Sequence, residues 1–268
     1  MNWRAVKAIA RRDLQVVARN GAVLGPMIAV PVILLVVLSA VTFAASRSTA
    51  VPDAFSNFLQ ALPEGAVQGL QGTPGQRLAV LLATYVVPPL TVVIPLMAAS
   101  VLATDAIAGE RERSTIEGLM LSPVTEQEIL VGKILGALVP AVTLGLLCHL
   151  TYAVVVDIMM WPSFGGLVLP TAAWLLTVLW FGPAFTVSAL GLIVIVSARA
   201  KSVQGAYQVS GICVLPLIML TIGQGTGVVV LVWWVALAAG ALLWAAAYVL
   251  IRLGARAMSR EQQLVTLG

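Results

Sequence analysis

The residues best suited to do chemistry in this chain lie in one charged stretch, Thr104 to Lys133. It holds six of the 11 acidic residues beside three basic ones, and long apolar runs flank it on both sides. Its charged residues are Asp105, Glu110, Arg111, Glu112, Arg113, Glu117, Glu126, Glu128 and Lys133. A structured, charged loop in an otherwise apolar chain is typical of a docking surface for a soluble partner. The alternative is a solvated hairpin that only connects the two apolar runs.

The other reactive side chains form no catalytic arrangement. His149 is the only histidine, and its neighbour Cys148 points to a different face of a helix, so the two do not make a metal site. We predict a packed histidine that bonds to a neighbouring helix. Cys148 and Cys213 lack CxxC spacing and are interpreted as small apolar residues. No serine or threonine has the acid and histidine of a nucleophilic site, so we expect no catalytic residue, metal or cofactor.

Nucleotide binding is not expected either. Gly132 and Lys133 are followed by Ile134 and lack the upstream glycine that a phosphate-binding loop requires. The glycine-rich run Gly223–Gly227 is predicted to lie outside the membrane. We therefore predict that this chain is not an enzyme and does not hydrolyse ATP by itself.

The composition places these residues in a membrane protein. Hydrophobic residues make up 60% of the chain and charged residues 10%, against about 25% charged in soluble domains. Crossing the hydrocarbon takes about 20 apolar residues per helix, and strand-like alternation is not seen. The sequence predicts an all-α polytopic membrane protein, a single transmembrane domain over residues 1–268. Its six spans are expected at Ala22–Ala45, Leu78–Ala103, Ile134–Val156, Leu167–Ser197, Val203–Ile222 and Val228–Ile251.

The basic residues predict the orientation. With the N-terminus in the cytoplasm, 13 of the 15 lysines and arginines fall in cytoplasmic segments, and only Arg47 and Arg77 lie outside. The positive-inside rule then places both termini in the cytoplasm. We expect a multi-pass protein of the inner (plasma) membrane, and we interpret the basic pI of 9.4 as topology rather than nucleic-acid binding.

Two segments outside the spans carry further expectations. Residues 1–21 are predicted to form an amphipathic helix on the inner membrane surface. Its apolar face would hold Trp3, Val6, Ala10, Leu14 and Val17. Asp13 interrupts that face, as a helix-end residue, a partner of Arg12 or a contact for another protein. Residues 46–77 are an outer loop with room for a brief helix at 54–62, and residues 216–234 are compatible with a re-entrant segment.

The charged stretch itself reads as a helix, a corner and a second helix. Ile116, Leu119 and Met120 would form one apolar edge of the first helix, which Ser122-Pro123 ends. Thr125 then begins the next helix, with Glu128 three residues on as in a capping box. A short amphipathic helix at such a corner would fit a socket on another subunit.

The stretch Gly109–Lys133, GERERSTIEGLMLSPVTEQEILVGK, resembles the cytoplasmic loop of type-2 ABC exporter permeases. That family includes sodium-extrusion and daunorubicin-resistance membrane subunits. Its usual loop is close to G-E-(K/R)-E-R-G-T-L-E-x-L-L-x-S-P-V-S followed by G-K, from which this chain departs mildly at Ser114, Ile116, Met120 and Thr125. The chain lacks the large outer domain of the sodium-extrusion members, which argues against carrying over their substrate.

The resemblance implies a permease subunit of an ATP-driven exporter. A separate ABC ATPase subunit would dock on a coupling helix within residues 104–133, and a second copy or a homologous permease would complete the pathway. The implied coupling residues are Glu110, Arg113, Thr115, Ile116, Glu117, Leu119, Met120 and Pro123. Spans 2 and 5 would line the pathway, and their apolar character favours a lipophilic or amphipathic substrate.

The alternatives are an ion-coupled secondary transporter, which would need an ionisable group near mid-membrane, and a membrane assembly protein without transport. Asp105 and Asp157 are both expected at span ends, with Asp157 in water at the outer surface.

Overall fold

The computed structural model describes residues 2–19, 21–49, 72–109, 124–199, 203–226 and 232–265. These residues are almost entirely helical and contain no strand. The α-helices are α1 (Trp3–Ala18), α2 (Gly21–Ser46), α3 (Pro74–Leu81), α4 (Val87–Thr91), α5 (Val93–Thr104), α6 (Glu126–Phe164), α7 (Ala172–Leu176), α8 (Gly182–Arg199), α9 (Val203–Gly211), α10 (Leu215–Gly225) and α11 (Trp233–Val265). π-helical turns cover Leu82–Val86, Asp105–Gly109 and Thr177–Phe181, and a 3₁₀ turn covers Ile212–Val214.

Six of these helical stretches are long and apolar enough to cross a membrane, which confirms the predicted layout. They are span 1 (Leu24–Ser46), span 2 (Pro74–Gly109), span 3 (Glu128–Phe164), span 4 (Ala172–Ser197), span 5 (Gln204–Gly225) and span 6 (Trp233–Gly254). The segment 216–234 is helical up to Gly225 and again from Trp233, and residues 227–231 lie outside the described part. The outer-loop helix expected at 54–62 lies outside it as well.

Prolines explain two changes of helical winding. The π-helical turn of span 2 directly precedes Pro88 and Pro89, and that of span 4 precedes Pro183. Proline has no N–H to donate, so the regular bonding pattern is interrupted one turn before it. A π-helical turn lets the helix continue across that interruption, as is common within membranes.

Spans 2, 3 and 4 form the centre of the chain's own packing. At the end of the bundle where α1 lies, a buried cluster joins Ala103 of span 2, Ile134 of span 3, Leu190 of span 4 and Val17 of α1. Towards the opposite end, a second cluster joins spans 1 to 4 around Tyr152. Spans 1, 5 and 6 pack at the edge and leave most of their surface facing outwards.

The turn between spans 3 and 4 corrects one expectation. Asp157 was expected to lie in water, but it is buried, and its Oδ1 accepts hydrogen bonds from the N–H groups of Val168 (2.8 Å) and Leu169 (2.9 Å). Helix α6 runs past Asp157, and Gly165, at φ +64°, reverses the chain so that this turn folds back onto the carboxylate. Span 4 consequently begins at Ala172 rather than near Leu167.

Candidate functional site at the ends of the charged loop

The predicted coupling residues, from Glu110 to Pro123, lie outside the described residues. The structure instead describes both ends of that loop, Gly109 at the end of span 2 and Val124 just before span 3. The geometry of these ends decides what the loop is attached to.

The end of span 2 is buried and held by a lysine. Span 2 finishes in the π-helical turn Asp105–Gly109, in which Ala106, Ile107 and Ala108 are buried. Lys133, from the first turns of span 3, is only 3% exposed and donates a hydrogen bond from Nζ to the carbonyl oxygen of Ala106. A buried ammonium requires such partners, because an unpaired charge away from water is costly. Lys133 therefore joins the start of the loop to its end.

The return of the chain begins at Thr125, and the predicted capping box is confirmed. Thr125 Oγ1 accepts the N–H of Glu128 at 3.4 Å, and Glu128 Oε2 accepts the N–H of Thr125 at 3.1 Å. This reciprocal pair satisfies backbone donors that the first turn of a helix otherwise leaves open.

Glu128 has a second partner that sequence reasoning missed. Its Oε1 accepts a hydrogen bond from the backbone N–H of Asn2, 126 residues earlier in the chain. Asn2 is the N-cap of α1, and its own side chain accepts the N–H of Arg4. One buried carboxylate, 7% exposed, thus binds the starts of two helices, where the helix dipole favours negative charge. No local pattern near Asn2 points to Glu128.

Two glycines let α1 approach span 3 closely. A Cβ on Gly132 would lie 2.9 Å from Cβ of Ile9 and 3.1 Å from the carbonyl oxygen of Val6. One turn further on, a Cβ on Gly136 would lie 3.2 Å from Cα of Ala10. Small residues at this spacing bring helix backbones together within and beside membranes. A visible signal for this contact was the Gly-x-x-x-Gly spacing at the start of span 3.

The predicted amphipathic helix is confirmed, with a shifted apolar face. Helix α1 buries Val6, Ile9 and Val17, whereas Trp3 is largely exposed. The buried side packs on the start of span 3, which is why Ile9 rather than Trp3 belongs to it.

A cavity of about 260 Å³ lies where α1 meets spans 2 and 3. Acidic and basic side chains from these three elements line it: Arg12 and Asp13 of α1, Asp105 of span 2 and Lys133 of span 3. Asp13 interrupts the apolar pattern of α1 because it faces this charged junction. The cavity lies between the two ends of the predicted coupling loop.

Deeper in the membrane, His149 ties span 3 to span 2 as predicted. Its Nδ1 lies 2.7 Å from the carbonyl oxygen of Gly145, which only accepts, so Nδ1 carries a proton. Its Nε2 lies 2.8 Å from Oγ1 of Thr91. Gly145 also allows close contact, since a Cβ there would lie 2.8 Å from Cγ of Pro95. Spans 2 and 3, which flank the loop, are therefore in close contact at several points along their length.

Other polar side chains join neighbouring spans. Thr42 of span 1 and Tyr152 of span 3 share a hydrogen bond of 2.8 Å, and Tyr207 of span 5 donates to the carbonyl of Val101 in span 2 at 3.4 Å. Thr91 of span 2, through its bond to His149, faces span 3 within the chain. Met219 of span 5 instead faces outwards, 74% exposed.

The comparison with known families covers nearly all of this architecture. The sequence model of the ABC-2 family transporter proteins matches residues 7–242, which include most of α1, the charged stretch and the greater part of the six spans. No curated protein matches the chain.

Proposed function

Because this chain belongs to the ABC-2 family of transporter proteins, we propose that it is the permease subunit of an ATP-driven exporter. It is a multi-pass membrane subunit of an ABC transporter, and in our proposal a separate ATPase subunit binds its cytoplasmic loop. The observation that carries the proposal is the family match across residues 7–242, which takes in the loop together with the spans.

The packing at the loop ends supports coupling through this loop. Lys133 and Ala106 connect the two ends, and both ends continue directly into spans 2 and 3. Those spans are packed together by His149, Thr91 and Pro95. A displacement of the loop by the ATPase would therefore move two central spans together rather than bend a free hairpin.

The exposed side of span 5 supports the proposal that a second permease copy, or a homologous permease, completes the pathway. Its outward side carries a stripe of exposed apolar residues at helical spacing: Ile212, Leu215, Met219 and Ile222. Such a stripe faces lipid in a lone chain and faces the other permease in the proposed dimer. The transport pathway would then run between the two copies, beside spans 2 and 5.

The proposed substrate is lipophilic or amphipathic and leaves the cytoplasm. The apolar character of spans 2 and 5, which would line the pathway, supports such a substrate. An ion-coupled transporter is less well supported, because the acids in the described spans, Asp105, Glu128 and Asp157, all lie near span ends.

The proposal is tested by ATP hydrolysis in reconstituted membranes. The purified permease alone should hydrolyse no ATP, and the complex with an ABC ATPase encoded beside it should hydrolyse ATP and respond to amphipathic compounds. Vesicle assays of both orientations would establish the direction of transport. Steady hydrolysis by the lone permease, or failure of every neighbouring ATPase to bind it, would contradict the proposal.

A further inference from the structure

We propose that Glu128 is a positioning residue that clamps α1 to the start of span 3, so that α1 and the end of the cytoplasmic loop move as one body. This inference rests on the proposed function only in its last step, where the moving body transmits motion from the ATPase.

The first step is the shared carboxylate. Glu128 accepts one backbone N–H from each of two helix starts, Asn2 for α1 and Thr125 for span 3. An ionised carboxylate has two oxygens, and both accept hydrogen bonds, so Glu128 binds the two N–H groups at the same time. Glu128 is largely covered by protein, so both hydrogen bonds are partly shielded from water.

The second step is the backbone contact beyond the carboxylate. Gly132 lies against Val6 and Ile9, and Gly136 lies against Ala10. These contacts continue the attachment along two turns of each helix. A hydrogen bond at one end and glycine contacts beside it leave α1 little freedom to slide or rotate on span 3.

The third step is the position of this body relative to the loop. Thr125 comes two residues after Pro123, the last of the predicted coupling residues, and α1 reaches span 2 through the cavity shared by Asp13 and Asp105. Helix α1 therefore touches the chain on both sides of the loop. A force that reaches Thr125 then acts on α1 through Glu128.

Matched variants isolate the Asn2 bond from helix capping. Glu128→Ala loses the bond to Asn2 and half of the capping box, whereas Thr125→Ala loses only the other half of that box. Asn2→Pro removes the backbone N–H, whereas Asn2→Ala removes only the side-chain cap of α1. An N-terminal tag on every variant keeps residue 2 inside the chain.

The first readout is the distance between spin labels at Lys7 of α1 and Val139 of span 3, both exposed positions. It is measured by pulsed electron paramagnetic resonance in the full-length permease in lipid nanodiscs. We expect a narrow distribution for the wild type, Thr125→Ala and Asn2→Ala, and a broadened or shifted one for Glu128→Ala and Asn2→Pro. An unchanged distribution for Asn2→Pro would overturn the clamp, whether or not an ATPase binds this chain.

The second readout is made in the complex with the ATPase. Nucleotide should leave the Lys7–Val139 distance unchanged in the wild type and change the distance between Val139 and Leu242, an exposed residue of span 6 outside the stripe on span 5. Glu128→Ala and Asn2→Pro should lose that second change while keeping ATP hydrolysis per assembled complex, and the two controls should retain it. Separation of α1 from span 3 on nucleotide binding would refute the single moving body. Absence of any complex, with the clamp intact in the permease, would count against the proposed function instead.

Discussion

Lys133 donates a hydrogen bond to the carbonyl oxygen of Ala106, 27 residues earlier, and thereby closes the base of the charged loop between spans 2 and 3. Both partners are buried, one at the end of span 2 and one in the first turns of span 3. The bond holds the two ends of the loop together.

Lys133→Met keeps an unbranched side chain one atom shorter but leaves the Ala106 carbonyl without its charged donor. Hydrogen bonds to charged groups contribute about 1.5–3 kcal/mol, so we expect a lower unfolding temperature and a weaker transport response to ATP. Thermal unfolding in detergent and transport in vesicles measure the two effects. Lys7→Met, at an exposed position of α1, is the control and should change neither. Wild-type stability for Lys133→Met would show that the bond is unimportant.

The apolar edge of the loop is tested by Leu119→Asp. If Leu119 enters a socket on the ATPase, burying a carboxylate costs several kcal/mol and the lost leucine forfeits roughly 1.5–3 kcal/mol. The complex should dissociate, or keep basal hydrolysis that no longer responds to substrate. Leu167→Asp makes the same change at an exposed site in the turn between spans 3 and 4 and should leave subunit pull-down intact. Normal pull-down and export for Leu119→Asp would remove this loop from the mechanism.

The contact between spans 2 and 3 is tested by a double-mutant cycle of His149→Phe and Thr91→Val. A hydrogen bond of this kind contributes about 0.5–1.5 kcal/mol, and bonds between membrane helices average about 0.6 kcal/mol. Because one bond joins the two side chains, the double variant should lose less stability than the two single variants added together. Thr151→Val, combined with His149→Phe, is the control and should give additive losses of stability. Thr151 is exposed and donates to the carbonyl of Leu147 in its own helix. Strict additivity would mean that the two groups do not interact.

The close approach of α1 predicts that Gly132 tolerates no side chain. In Gly132→Ala the new methyl would crowd Ile9 and the backbone of Val6, and overpacking of this kind costs about 1–3 kcal/mol. Gly25→Ala, in span 1, meets nothing within 4 Å and should be neutral or slightly stabilising. The two variants are compared by the rate at which a protease cleaves α1 in membranes, which should be higher in Gly132→Ala. Equal protection in both variants would argue against the packing of α1 on span 3.

The orientation predicted from the basic residues is tested by cysteine labelling. The natural cysteines, Cys148 and Cys213, are first replaced by alanine. Single cysteines near Gln60 and Gly225 should react with an impermeant reagent in intact cells, whereas one at Glu112 should react only after permeabilisation. Reaction at Glu112 in sealed cells would invert the assigned topology.

Sequence reasoning succeeded where one segment by itself decides the structure. Six apolar runs are helices because hydrocarbon accepts a backbone only when its polar groups bond internally. The amphipathic pattern of α1 and the Thr125–Glu128 capping box follow in the same way, since each depends on residues within a turn or two.

The tertiary structure alone decided which distant groups meet. Nothing near Asn2 identifies Glu128 as its partner, and nothing near Asp157 predicts that Val168 and Leu169 fold back onto it. Apolar helix faces resemble one another in sequence, and the side chains they bring together depend on how the helices pack, on glycines such as Gly132 and on turns such as Gly165. The composition of the chain therefore determined its membrane class and its helices, whereas packing determined the polar contacts that join them, because those contacts exist only once the helices are assembled.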